Sequence, residues 1–218
     1  MSYILDGFKN DDEYWPLVLC VIRGATPLHR DAAEVGAVTA LTAAMRKALN
    51  AGDDHEFWHG GEGKDGALGI VSPHHRHIQR LRDSISDATG MERDGLFIGT
   101  VDRLQGQQRD AVIVSYGVSD PESAVAEGEF IYSLNRLNVS LTRGTCKTVV
   151  FFSENLTELP AGLLDTDDTA LQEGVSFVCG LLPFMERSEK DTAVSKESFE
   201  YEVGGEKVIL DVYRKRMA

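Results

Sequence analysis

"RLNVSLTRGTCKTVVFF", residues 136–152, contains the change of period on which the fold turns. In its first half Leu137 and Leu141 stand four apart, and with Leu134 just upstream they form the apolar stripe of an amphipathic helix. Ser133 is the expected cap of that helix, and Gly144 is the expected left-handed residue that ends it. "KTVVFF" (147–152) is then a run of strand formers, continuous as in a strand buried on both faces.

The same alternation extends upstream. "PLVLCVI" (16–22) reads as a buried strand, followed by a helix from about Asp31 with Val38, Leu41, Met45 and Leu49 at helical spacing. A turn-rich stretch, 51–66, precedes a second strand, "ALGIVS" (67–72), after which Ser72-Pro73 is a helix start with a hydroxyl cap and proline at the first position. That helix is expected to reach about Thr89, with further strands "LFIGTV" (96–101) and "AVIVSY" (111–116). Strands alternating with helices imply an α/β fold with a parallel sheet. Downstream, "DDTALQEGVSFVCGLLPFMERS" reads as a helix packing on the sheet, and "SFEYEVGGEKVILDVY" as an accessory hairpin turning at Gly204-Gly205. The expected divisions are a lead-in over 1–15, one domain over 16–185 and a hairpin extension over 186–218.

Composition narrows the class. A chain of 218 residues suits one sizeable core with an appendage. No apolar run approaches 18 residues, and Met1 to Asn10 has no leader of signal-peptide type, so a cytoplasmic protein without a membrane span is expected. Cys20, Cys146 and Cys179 lie far apart, which implies neither a disulfide framework nor a cysteine zinc site. The net charge of -13 disfavours a free-standing nucleic-acid binder, yet "HHRHIQRLR" (74–82) carries three arginines and three histidines without an acid. One face is thus able to follow a phosphate backbone.

Two segments carry candidate chemistry. Arg136 and Arg143, seven apart, project from nearly the same face of their helix, roughly 10 Å from one another. In "GTVDRLQGQQRDAVIVSYG" (99–117) a strand ends in a polar turn, where Gly106 lets backbone amides approach a phosphate and Gln105, Gln107 and Gln108 both donate and accept. Such a turn is expected at the carboxyl ends of the parallel strands, the ligand-binding edge of such sheets.

"GIVSPHHRHIQRLR", "GTVDRLQGQQRDAVIVSYGVSDPE" and "NRLNVSLTRGTCKTVVFF", in this order, resemble motifs IV, V and VI of superfamily 1 helicases, within the 1B branch that contains the nonsense-mediated decay helicase. The resemblance covers about residues 16–153 and implies a RecA-like P-loop NTPase fold, the second RecA-like domain of an ATP-dependent DNA or RNA helicase. It implies ATP and Mg²⁺ as cofactors, held mainly by a first RecA-like domain of the same protein, and single-stranded DNA or RNA as partner. Arg143 matches the motif VI finger that reaches the γ-phosphate, worth about 10³ to 10⁵ in rate. Gln105, Gly106, Gln108 and Arg136 are then nucleotide-binding candidates, while Asp102 and Asp110 orient the loop. Ser72, Pro73, His74 and Thr100 match positions near the nucleic-acid backbone, with Arg76 and Arg80 as added phosphate contacts.

The sequence also departs from that pattern. Gln108 stands where the family has a glutamate associated with the ribose, and "SPHHRHIQ" has one extra residue at its helix start. G-x-x-x-x-G-K-[ST] does not occur, because Lys64 is followed by Asp65 and Trp58 takes the place of the first glycine. The acidic Mg²⁺-binding motif is likewise missing, so this chain is expected to be part of a longer protein and not to hydrolyse ATP alone. A non-catalytic RecA-like scaffold or regulatory module is the alternative. A remote one is a zinc metallopeptidase built on His55, Glu56 and His59 of "HEFWH", but that chemistry needs a long rigid helix and the glycine-rich flanks allow only a frayed turn. The main reading has no metal ligands within the chain.

Overall fold

The computed structural model describes residues 2–5, 15–49, 53–61, 63, 65–158, 163, 167–187 and 193–216. Its strands are β1 (Leu17–Gly24), β2 (Leu68–Val71), β3 (Ile98–Gly99), β4 (Arg109–Ser115), β5 (Gly144–Ser153), β6 (Val194–Val203) and β7 (Glu206–Lys215). Its helices are α1 (Ser2–Leu5), α2 (Pro27–Ala48), α3 (Asp54–His59), α4 (His75–Thr89), α5 (Pro121–Ala126), α6 (Gly128–Ile131), α7 (Leu134–Thr142) and α8 (Thr169–Glu186). All seven strands join one sheet in the order β3-β2-β4-β5-β1-β7-β6. The first five in that order pair in parallel, and β7 and β6 add an antiparallel edge.

This is the mostly parallel, helix-flanked sheet expected of a RecA-like fold. The buried apolar runs explain it, because a strand covered on both faces loses its polar alternation. Val18 to Ile22, Ala111 to Val114 and Val149 to Phe152 are all buried. On α7 Leu137 is buried and Leu134 and Leu141 pack against the core, as the stripe requires. No helix among the described residues is long and apolar enough to cross a membrane.

Several boundaries differ, each for a local reason. α2 starts at Pro27, four residues before Asp31, because Thr26-Pro27 supplies an extended residue and a proline at the first helical position. α4 starts at His75 instead of Pro73: Ser72 is still paired to the sheet through its amide to the Gly99 carbonyl at 3.0 Å, and His74 is extended. The Ser72 hydroxyl accepts from the His74 amide at 3.3 Å and does not cap the helix. Ser133 precedes α7 without a side-chain cap bond. Gly144 is not the left-handed terminator of α7, since Arg143 leaves the helix in a right-handed conformation and the chain enters β5 at Gly144 itself. Gly144 has a different constraint: a Cβ there would lie 2.6 Å from the Lys147 carbonyl oxygen.

The hairpin forms as expected, with Gly204 and Gly205 at φ 59° and 80°, the signs a two-residue type I′ loop requires. It is an appendage built onto the main sheet, as β7 pairs with β1 from Leu17↔Lys215 to Gly24↔Val208. β6 is left as the outer strand, where exposed Lys196, Glu197, Glu200 and Glu202 discourage pairing with another edge. The lead-in expected before β1 falls largely on 6–14, and Lys64 of the Gly-Lys pair also lies outside the described residues.

Candidate functional site

The parallel register sorts the candidate residues between two edges of the sheet. β3 and β4 both run parallel to β2, so the link from Thr100 to Gln108 must cross from the carboxyl edge to the amino edge. It does so through a 3-10 turn, Val101–Leu104. The glutamine turn is therefore not at the carboxyl ends of the strands, as its position after a strand suggested. Only Thr100 is there, while Gln105 to Gln108 lead into the amino end of β4.

At the carboxyl edge, Ser72, Pro73 and Thr100 line a small cavity together with Arg136, Phe130 and Ser140. The Arg136 guanidinium lies 3.8 Å from the Phe130 ring centroid. Arg136, expected among the nucleotide-binding residues, thus lies beside the motif IV and V residues at this edge. The reason is helix length: seven residues carry Arg143 about 10 Å further along α7, to the other edge. Next to this cavity, His74, Arg76 and Arg80 border a cleft of about 530 Å³ shared with Asp31, Asp120 and Glu127. His74 Nδ1 is 2.9 Å from a Glu127 oxygen, Arg80 is 3.6 Å from Asp31, and Arg76 is exposed.

At the amino edge, Arg143 caps α7 and its carbonyl accepts from the Arg109 amide at 2.9 Å. Its Nε is shielded from solvent and has no hydrogen-bond partner among the described residues. Gly106 has φ 81° with open space around it, and the Gln108 amide donates to Asp65 at 2.7 Å. Asp102 and Asp110 are exposed, and among the described residues neither carboxylate makes a hydrogen bond or ion pair. One contact that ties down this loop comes from Asp65, outside the motif.

A buried polar chain lies under the carboxyl edge. Ser115 Oγ donates to Glu34 Oε1 at 2.6 Å, the Gly117 amide donates to the same oxygen at 2.9 Å, and His77 Nε2 is 2.7 Å from Ser115 Oγ. Because the serine proton is committed to Glu34, His77 donates from Nε2, which leaves Nδ1 bare and without a partner among the described residues. Burial pushes the Glu34 carboxyl up to about 7, against the hydrogen bonds from Ser115 and Gly117. Burial, with Arg80 and His74 nearby, pushes His77 down to about 3. Glu34 and His77, 3.6 Å apart and joined through the Ser115 hydroxyl, are therefore both neutral between their two values and do not form an ion pair there. Sequence reading missed Glu34, although its place on the apolar stripe of α2, four residues before Val38, is the signal for a buried acid.

"HEFWH" forms a six-residue helix, α3, more than the frayed turn its flanks suggested. Asp53 caps it by accepting from the Glu56 amide at 2.9 Å, and the fully buried Phe57 and Trp58 anchor it. His59 Nε2 is engaged with the Gly95 carbonyl at 2.8 Å. Among the described residues no group of three histidine, cysteine or carboxylate side chains is placed to hold a metal.

Residues 29–155, more than half of the chain, match the family described as AAA domain, the C-terminal helicase domain of superfamily 1 helicases. The chain belongs to this family. The AAA domain is similar to the DNA replication ATP-dependent helicase/nuclease dna2 of Schizosaccharomyces pombe, with 32% identity over 90 residues, 41% of this chain and 6% of that protein. It is 30% identical over 83 residues to the human DNA replication ATP-dependent helicase/nuclease DNA2, covering 38% of this chain and 7% of the relative. With Helicase SEN1 of Saccharomyces cerevisiae the identity is 31% over 80 residues, 36% of this chain and 4% of that protein. The chain thus matches only a small part of the length of these curated relatives.

Proposed function

We propose that this AAA domain is the C-terminal motor half of an ATP-dependent superfamily 1 helicase of the 1B branch, supplying an arginine finger and part of a single-strand track. The observation that carries this reading is the separation of Arg143 and the Gln105 to Gln108 turn from Ser72, Pro73, Thr100 and Arg136. A translocating motor needs a nucleotide-facing edge and a nucleic-acid-facing edge joined by rigid elements, and α7 with the 100–108 link spans from one to the other. Arg143 suits an anion, because its shielded Nε lacks a partner among the described residues. ATP, when bound, supplies the phosphoryl group whose hydrolysis drives the motor. The residues of this chain contribute orientation and charge: Arg143 offers a guanidinium, and the open backbone at Gly106 permits close approach.

Among the described residues no group of three histidine, cysteine or carboxylate side chains is placed to hold a metal ion. The metal and the phosphates are assigned mainly to a first RecA-like domain of the same protein, and the chain by itself is proposed to be inactive. Along the track, Ser72, Pro73, His74, Thr100, Arg76 and Arg80 face the backbone of a single strand of DNA or RNA, and Arg136, which lines the same cavity as Ser72 and Thr100, is proposed to join them. The test is nucleic-acid-stimulated ATPase of the full-length protein. Arg143→Ala is expected to lower turnover by about 10³ to 10⁵, and turnover equal to wild type removes the finger assignment.

A further inference from the structure

Arg109 is the least expected feature of the amino edge. It is 3% exposed, yet it opens β4 directly after the polar turn. Its Nη1 donates to the Trp58 carbonyl of α3 and its Nη2 to the Gln107 side-chain oxygen, each at 2.6 Å. Its guanidinium stacks on Phe97, 3.8 Å from the ring centroid, and its backbone amide donates to the Arg143 carbonyl. Two glycines make room for it. A Cβ on Gly66 would lie 2.2 Å from Arg109 Nη1, and one on Gly69 would lie 3.3 Å from Arg109 Cγ.

We propose that Arg109 is a positioning residue that fixes the Gln105 to Gln108 turn and Arg143 as one unit, with α3 as its buttress. A planar guanidinium presents donors in a fixed fork, so one side chain can tie a loop amide oxygen and a remote carbonyl together while lying flat on an aromatic ring. A lysine ammonium is a point charge and cannot hold that plane. The "HEFWH" segment then has a role that needs no metal: its capped turn places the Trp58 carbonyl where Nη1 requires it, and Trp58 and Phe57 lock that carbonyl into the core. Movement of Arg109 would be felt in the turn, through Gln107, and at the end of α7, through the Arg143 carbonyl. The proposal rests on the finger reading for its catalytic consequence but not for its structural one.

Both consequences can be read separately. In this chain, hydrogen exchange is measured for peptides covering 104–109 and 143–146 in wild type, Arg109→Lys and Gln107→Ala, with α8 as the reference for global folding. Exchange in 104–109 is expected to quicken by about tenfold or more in Arg109→Lys and less in Gln107→Ala, while α8 is unchanged. Unchanged exchange in 104–109 for both variants overturns the proposal. In the full-length protein, Arg109→Lys is expected to lower kcat by about tenfold beside Arg143 but by less than about twofold in an Arg143→Ala background. Equal losses in the two backgrounds overturn the coupling to Arg143. If Arg143→Ala itself leaves kcat unchanged, the finger reading fails, and the exchange measurement still decides whether Arg109 holds the turn.

Discussion

Arg136 and Arg143 stand at opposite edges of the sheet although one helix carries both. Arg136 lies over Phe130 at 3.8 Å beside Ser72 and Thr100, whereas the Arg143 carbonyl is bound to the Arg109 amide at 2.9 Å. The two arginines are therefore open to separate tests.

Substituting Arg136 tests the track side. Arg136→Ala is expected to weaken binding of a single strand by the full-length protein and to reduce the slope of log K against log salt by about 0.7. Arg143→Ala should leave that slope intact. Fluorescence anisotropy over a salt series measures both, and a slope lowered equally by the two substitutions would contradict their division between edges.

The buried acid gives a pH signature. Glu34 has an ordinary value of 4.5 and a folded value of about 7, so the folded protein retains a proton that the unfolded chain releases, and stability falls as pH rises across that window. His77 opposes it from the acid side, because its value drops from 6.5 to about 3 and stability is lost as pH falls across that range. Glu34→Gln keeps an acceptor for Ser115 and Gly117 and removes the first limb. Its stability relative to wild type should rise between about pH 5 and pH 8 in urea unfolding. An equal difference at the two pH values would show that Glu34 is not buried as a neutral acid.

The hairpin turn sets its own test. Gly204 has φ 59°, and a Cβ there would lie 2.2 Å from His29 Nε2, whereas Gly205 has φ 80° and open space. Gly204→Val is expected to cost roughly 1 to 3 kcal/mol, and Gly205→Asn only a few tenths. Equal denaturation midpoints for the two variants would contradict the turn geometry.

The histidines of α3 should prove structural. His59→Ala removes the bond to the Gly95 carbonyl and is expected to cost about 0.5 to 1.5 kcal/mol. Treatment of the purified chain with a chelator should leave its melting temperature unchanged, and zinc at one ion per chain would reopen the peptidase alternative.

The stretch from Arg136 to Phe152 shows how far local pattern reaches. Helical spacing of Leu134, Leu137 and Leu141, the strand run from Lys147 and the Gly204-Gly205 turn each express a rule that acts within a few residues, and all three elements formed, β5 beginning three residues early at Gly144. Thr26-Pro27 was an equally local signal that the apolar periodicity of α2 had masked. α3 was not legible in this way, since its glycine-rich flanks speak against a helix and it owes its stability to the burial of Phe57 and Trp58.

By itself, the sequence determined the alternation of elements and placed the motif residues among them, because period, capping and turn chemistry are written in neighbouring side chains. The tertiary structure alone decided which edge each residue occupies. Parallel pairing of β2, β3 and β4 forces the 100–108 link across the sheet, puts Thr100 and Arg136 on one side and Arg143 on the other, and draws Arg109, Trp58 and Gln107 together. Those contacts join residues distant in the chain, and no local rule of spacing contains them.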